Sequence, residues 1–63
     1  MLTLLCISSP AHWREIAKEH NVTVPAEGDK VHAERLHRDN GKIYYNLVEH
    51  DYNAFDVRCF RPI

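Results

Sequence analysis

The 63-residue sequence has few of the features that mark several large classes of protein. It contains no long apolar run, whereas a helix that crosses a bilayer needs about 20 consecutive apolar residues. Its only cysteines are Cys6 and Cys59, which are too few to indicate a disulfide-stapled mini-protein. Met1–Ile7 is apolar but carries no basic residue, so a strand is expected there rather than a signal peptide. We therefore expect a cytoplasmic protein with reduced thiols and no membrane association.

An excess of charge of one sign is also missing. Eight basic and nine acidic residues give a formal net charge of −1 with the histidines neutral. This balance argues against a protein that coats nucleic acid through bulk charge. Hydrophobic residues at 44% and charged residues at 27% are typical of a folded globule, and the length predicts one domain over residues 1–63. Five histidines are a high number for a chain of this length. Their protonation would make the chain net positive in mild acid.

Residues that could carry chemistry lack the spacing of a known kind of site. Structural zinc sites use close pairs such as Cys-x2-Cys or His-x3-His, and neither pair occurs here. A metal site formed by Cys6, Cys59 and a histidine, across the first and last strands, is an open alternative. A nucleophilic cysteine needs an adjacent base, for which His50 and Asp51 are candidates, but a domain this small rarely encloses a substrate. We expect no catalytic residues, no metal and no cofactor, and hence not an enzyme.

The clearest structural pattern is a hairpin centred on Asp39-Asn40-Gly41. Asn and Gly tolerate the positive φ angles that tight hairpin turns require. The segment after the turn, residues 43–48, alternates between two faces as a strand does. The segment before it, residues 31–36, alternates until the period slips at Leu36. A bulge near Arg35 would return Leu36 to the core side of the strand.

One helix is predicted between the first strand and the hairpin, over Ala11–His20. Ser9 is a suitable N-cap, and Pro10 suits the first helical position. Trp13 begins an apolar stripe at helical spacing, so its expected role is to pack the helix on a sheet. Asn21 is the expected C-cap.

The remaining segments complete the predicted architecture. Leu2–Ile7 and residues 55–63 have the composition of strands, whereas residues 21–26 form an extended linker in which Pro25 excludes a central strand. The order of elements predicts an α+β fold, with a small curved antiparallel sheet or partly open barrel and one helix after the first strand. If the first and last strands pair, the two cysteines become neighbours.

Several segments together resemble a group of small uncharacterised bacteriophage and prophage proteins. Those proteins open with a strand ending in Cys-Ile, as Cys6-Ile7 does, and close with an Arg-Phe-x-Pro-hydrophobic segment, which Phe60-Arg61-Pro62-Ile63 matches. Cys59 departs from the pattern where Arg is frequent, Val31 stands where an aromatic is common, and the Trp13 helix replaces a shorter loop. The resemblance implies an SH3-like barrel and no catalytic residues, and it covers roughly two thirds of the chain. The matching segments are 27–31, 41–49 and 55–63.

Two sets of residues are candidates for binding. Tyrosine and arginine are enriched at binding hot spots, and the candidate partner-binding residues are Tyr44, Tyr52, Arg58 and Arg61. For the two tyrosines, packing within the fold is an equal alternative. The second set is the basic hairpin 30–42 with an aromatic platform, a combination that binds single-stranded nucleic acid in small barrels. Its members are Lys30, Arg35, Arg38, Lys42 and Tyr44.

The sequence thus predicts a small non-enzymatic domain of phage or mobile-element type that binds a host or phage protein. Nucleic-acid binding through the basic hairpin is the alternative, and Glu34 and Asp39 weaken it because they interrupt the positive charge. Neither pattern specifies the partner or the oligomeric state.

Overall fold

The computed structural model describes residues 1–53 and 55–63, and in this part of the chain it forms an open antiparallel sheet of five strands with one helix. The strand order is β4-β3-β2-β1-β5, and all neighbouring strands are antiparallel. The predicted α+β class, with a curved sheet and a helix after the first strand, is confirmed. The elements are β1 (Leu2–Cys6), α1 (His12–His20), β2 (Lys30–Asp39), β3 (Lys42–Leu47), β4 (Phe55–Asp56), a 3-10 turn (Val57–Cys59) and β5 (Phe60–Pro62).

The predicted continuous last strand over 55–63 is wrong, because the segment divides into two short strands. β4 pairs with β3, whereas β5 pairs with β1 at the opposite edge of the sheet. The break occurs at Asp56, whose carboxylate accepts a hydrogen bond from the backbone N–H of Arg58 at 2.9 Å. That bond caps the 3-10 turn and redirects the chain. The first and last strands, whose pairing the sequence leaves open, do pair, since Cys6 of β1 lies opposite Phe60 of β5.

The hairpin forms where the sequence predicts it. Asn40 and Gly41 have φ angles of 52° and 76°, as a two-residue hairpin turn requires. The predicted bulge is confirmed, because the register between β2 and β3 shifts between Ala33 and Arg35. The predicted burial of Leu36 is wrong: the bulge returns it to the core face, opposite Tyr45, but its side chain is 54% exposed. The pairing of β1 with β2 ends at Ala33, so β1 does not reach this part of the hairpin.

The core lies between α1 and one face of the sheet. Trp13 is fully buried, and its ring contacts Phe55 of β4 and Phe60 of β5. The prediction that Trp13 packs the helix on the sheet is confirmed. The other buried apolar residues are Leu4, Cys6, Val31, Ala33, Tyr45, Leu47 and Cys59.

The helix begins later than its sequence predicts. Its first residue is His12, and the predicted N-cap at Ser9 is wrong, because the Ser9 hydroxyl donates instead to the carbonyl of Pro25 at 2.8 Å. This bond ties the loop before α1 to the linker after it. The C-cap is confirmed, since Asn21 has a φ of 53° and its N–H bonds the carbonyl of Ala17. No helix within residues 1–53 and 55–63 has the length and apolar character needed to cross a membrane.

Candidate functional site

The four candidate partner-binding residues separate into three places. Tyr44 and Arg58 come together, because Tyr44 lies opposite Asp56 in the sheet and Asp56 bonds the side chain of Arg58. Tyr52 packs instead on the ring of Phe55, with centroids 6.2 Å apart. Arg61 is exposed on β5, at the other edge of the sheet. Only the pair Tyr44 and Arg58 therefore forms a shared surface.

That surface belongs to an open cleft of 460 Å³ between the start of α1, the first half of β3, β4 and the 3-10 turn. We call it the Tyr44 cleft. Its lining combines cations, one carboxylate and two aromatic rings. The lining side chains that are exposed or half-buried, and so able to contact a ligand, include Ser8, His12, Lys42, Tyr44, Asp56 and Arg58.

The Asp56–Arg58 pair sets the electrostatics of the Tyr44 cleft. Asp56 Oδ2 accepts from Arg58 Nη2 at 3.0 Å, and Asp56 Oδ1 accepts from Arg58 Nε at 3.3 Å. The side-chain hydrogen bonds from Arg58, followed by its backbone N–H, hold the pKa of Asp56 below its ordinary value. Asp56 is therefore ionised at neutral pH. The charge of Asp56 is balanced by Arg58, so Lys42 gives the lining a net positive charge.

Trp13 contributes a donor whose presence the sequence does not signal. Its side chain is fully buried, and among residues 1–53 and 55–63 its Nε1 has no hydrogen-bond partner. Buried polar groups are almost always paired, and leaving one unpaired costs about 1–3 kcal/mol. Trp13 is among the residues around the Tyr44 cleft, but its full burial keeps the indole N–H out of reach of a ligand there.

The two cysteines are poor candidates for chemistry. Burial raises the pKa of Cys6, whose thiol donates to the carbonyl of Ser8 at 3.2 Å. Burial likewise raises the pKa of Cys59. A nucleophilic cysteine needs the opposite shift, because the thiolate is the reactive form. Within the described ranges no three His, Cys, Asp or Glu side chains are grouped to hold a metal ion, so the alternative Cys6–Cys59–histidine site is not supported.

The basic hairpin does not form a single surface. In the β2–β3 register Arg35 lies opposite Asn46, on the face of the hairpin that also carries Tyr44 and Lys42. Arg38 lies opposite Ile43, on the other face. Lys30 is at the far end of β2 from the turn. Of the five residues proposed for nucleic-acid binding, Arg35, Lys42 and Tyr44 thus share one face, whereas Arg38 lies on the other face and Lys30 at the far end of β2.

Most of the histidines contact a neighbouring side chain. The shortest contact joins His32 to Glu49 and fixes the start of the loop after β3 to β2. His12 differs in lining the Tyr44 cleft. The other contacts pair His20 with Tyr52, His37 with Asn46 and Tyr44, and His50 with Thr23.

No family model, curated protein or solved structure matches the chain.

Proposed function

We propose that this chain is a small non-catalytic binding module that captures a protein partner through the Tyr44 cleft. The observation that carries the proposal is the convergence of Tyr44 and Arg58, two residues of the types that dominate binding hot spots, on one open cleft. Tyr44 is half-buried and so is held in place, while the Arg58 side chain is 77% exposed. A rigid aromatic ring beside an accessible guanidinium suits recognition of another protein.

We further propose that the domain is of phage or mobile-element type, with an SH3-like sheet, and that it binds a host or phage protein in the cytoplasm. The curved antiparallel sheet, in which β1 pairs with both β2 and β5, supports the SH3-like comparison. Two segments of the resemblance have structural roles that support it further. Gly28 adopts a φ of 94° in the turn before β2, and Phe60–Pro62 forms the closing strand β5.

Capture of partners from a bacterial lysate, with and without nuclease, tests the proposal. We expect one protein in both lanes at about physiological ionic strength, where exposed charges are already screened over roughly 8 Å. Tyr44→Ala and Arg58→Ala should each weaken binding of the captured protein about tenfold, the effect of losing a hot-spot side chain. Arg38→Ala is the matched control, because Arg38 lies on the other face of the hairpin.

The same experiment decides against the proposal if nucleic acid is the ligand. In that case the captured proteins would be ribosomal or DNA-associated and would disappear after nuclease treatment. Affinity would then fall steeply with salt, because phosphate binding releases counterions. Alanine substitution of Arg35, Arg38 and Lys42 would also weaken it, including the residue used above as a control.

A further inference from the structure

We infer that this chain forms a two-fold symmetric dimer through an apolar patch on the core face of its sheet, at the hairpin end that α1 does not cover. We call this surface the Leu36 patch, and its apolar members are Leu2, Leu36 and Ile43. None of these residues lines the Tyr44 cleft, so the inference goes beyond the proposed function and does not depend on it.

The core face loses its cover in the same direction on three neighbouring strands. On β2, Ala33 is buried whereas Leu36 is 54% exposed, and on β1, Leu4 is buried whereas Leu2 is 47% exposed. Ile43, which shares this face by the alternation of β3, is 37% exposed. Leu2 lies opposite Ala33, so all three exposed residues lie toward the hairpin turn. Apolar side chains grouped on one face in this way are typical of an interaction surface.

The bulge in β2 supports a role for Leu36 in an interface. The register shift between Ala33 and Arg35 places Leu36 opposite Tyr45 on the core face, whereas regular alternation from Ala33 would place it on the other face. A bulge disrupts the ladder of hydrogen bonds, and its usual use is to re-aim a side chain. Here it aims a leucine at a surface that the chain itself leaves uncovered. A second copy would supply the missing cover.

Two opposite charges flank Leu36 on the core face. Arg38 follows Leu36 by two residues and shares its face by alternation. Glu34, at the bulge, borders a hollow of 190 Å³ together with Leu2 and Leu36. Arg35 also borders this hollow, but its register with β3 places its side chain on the other face. Glu34 and Arg38 are both exposed, and within residues 1–53 and 55–63 neither forms an ion pair.

This arrangement of charges is complementary to itself. When two β2 strands pack face to face and antiparallel, with Leu36 at the two-fold axis, Arg38 of each copy faces Glu34 of the other. Parallel strands would instead place each charge over its own equivalent, which is unfavourable. A two-fold contact requires one surface to match itself, and an acidic and a basic residue at equal distance from a central leucine meet that requirement. The occupant that the patch fits is therefore a second copy of this chain.

Sedimentation equilibrium over a wide range of protein concentration tests the dimer. The patch is small, so the association is weak. We expect the weight-average mass to rise from 7.4 kDa at about 5 µM towards twice that value at about 1 mM, as a dissociation constant on the order of 0.1 mM requires. A mass that stays at the monomer value throughout, or that continues to rise past the dimer, would overturn the inference.

Leu36→Gln tests the centre of the patch. It removes the apolar side chain at the axis, so we expect the dimer to weaken about tenfold. Val48→Gln is the matched control, because Val48 is 51% exposed but lies beyond the end of β3 that is far from the hairpin turn. Circular dichroism verifies that both variants are folded. Equal weakening in the two variants, or none in Leu36→Gln, would contradict the patch.

Charge reversal tests the pairing of Glu34 with Arg38. Glu34→Arg and Arg38→Glu should each weaken the dimer about tenfold, because each places like charges over one another at both ends of the contact. The double variant Glu34→Arg/Arg38→Glu should regain the affinity of the parent, since both pairs form again with their signs exchanged. Its net charge equals that of the parent, so overall charge cannot explain the recovery. Single variants that dimerise as the parent does, or a double variant as weak as the single ones, would overturn the antiparallel pairing.

An equimolar mixture of the two single variants shows whether the pairs join different copies. Glu34→Arg has arginine at both positions and Arg38→Glu has glutamate at both, so a heterodimer of the two is complementary throughout. We expect the mixture to associate about as tightly as the parent, although neither variant does so alone. Recovery in the double variant without recovery in the mixture would mean that the charges act within one chain, and would overturn the symmetric contact.

The inference and the proposed function fail separately. A chain that stays monomeric but captures its partner through Tyr44 would overturn the dimer alone. A dimer that captures no partner would overturn the proposed function alone.

Discussion

The indole of Trp13 meets the ring of Phe55 edge to face, with centroids 5.1 Å apart and planes at 82°. Its other contact is a stacked one with Phe60, at 5.8 Å and 22°. Phe55 belongs to β4 and Phe60 to β5, which are the two edge strands of the sheet. One side chain of α1 therefore joins the helix to both edges. Both edge strands are short, so they depend on this contact more than the central strands do.

The first prediction concerns the loss of that contact. Trp13→Ala removes a fully buried aromatic side chain, which typically costs about 3–5 kcal/mol. A domain of this size has roughly 3–5 kcal/mol of stability in total, so we expect the variant to be largely unfolded. Urea denaturation followed by circular dichroism measures the effect. His12→Ala, at the exposed neighbouring position, should unfold as the parent does, and a cooperative transition near that of the parent in Trp13→Ala would contradict the prediction.

The second prediction concerns the hairpin turn. Gly41 has a φ of 76°, and a Cβ placed there would meet no atom within 4 Å. The cost of Gly41→Ala is therefore that of the left-handed backbone alone, about 1 kcal/mol in the free energy of unfolding. Asn40→Gly should cost less, because glycine also tolerates the φ of 52° at this position. Urea midpoints of the two variants test this order, and a loss above about 2 kcal/mol for Gly41→Ala would show that contacts beyond the backbone are involved.

The features that are predictable from the sequence depend on neighbours along the chain. The Asn40–Gly41 turn is one, because a single dipeptide determines its backbone angles. The burial of Leu36 is not predictable in this way: alternation identifies the face of the strand, but not whether another element covers that face. The same limit applies to Ser9, which bonds Pro25 across the fold rather than its own helix. The unsatisfied N–H of Trp13 is visible only once every possible acceptor has a position.

The third prediction concerns alkaline pH. Burial raises the pKa of Cys6 and of Cys59. Each thiol therefore contributes stability that is fully present below the unfolded thiol pKa of about 8.5 and is lost as the pH rises through the folded value. We expect the urea midpoint to fall as the pH rises above about 8.5, and to fall less steeply in Cys6→Ala, which lacks one of the two thiols. An identical slope in the parent and in Cys6→Ala would contradict the assignment to Cys6.

The fourth prediction concerns the link between β2 and the loop after β3. Glu49 Oε1 accepts from the backbone N–H of His32 at 2.9 Å, and Glu49 Oε2 contacts His32 Nδ1 at 2.5 Å. Burial by itself would raise the pKa of Glu49, but the hydrogen bonds from the side chain and backbone of His32 outweigh it and hold the pKa below its ordinary value. A carboxylate with a lowered pKa stabilises the fold above the unfolded value of about 4.3, and this contribution is lost as the pH falls through the folded value.

Glu49→Gln should therefore lower the free energy of unfolding at neutral pH and have little effect in strong acid, where the parent carboxyl is protonated and nearly isosteric with the amide. Both side chains are more than one third exposed, so water screens the pair and the loss at neutral pH should not exceed about 1 kcal/mol. Urea unfolding of the parent and the variant across the acidic range measures the difference. Glu34→Gln is the control, because Glu34 is an exposed carboxylate at the bulge of the same strand. A deficit in Glu49→Gln that stays constant with pH would mean that Glu49 acts through packing and not through its charge.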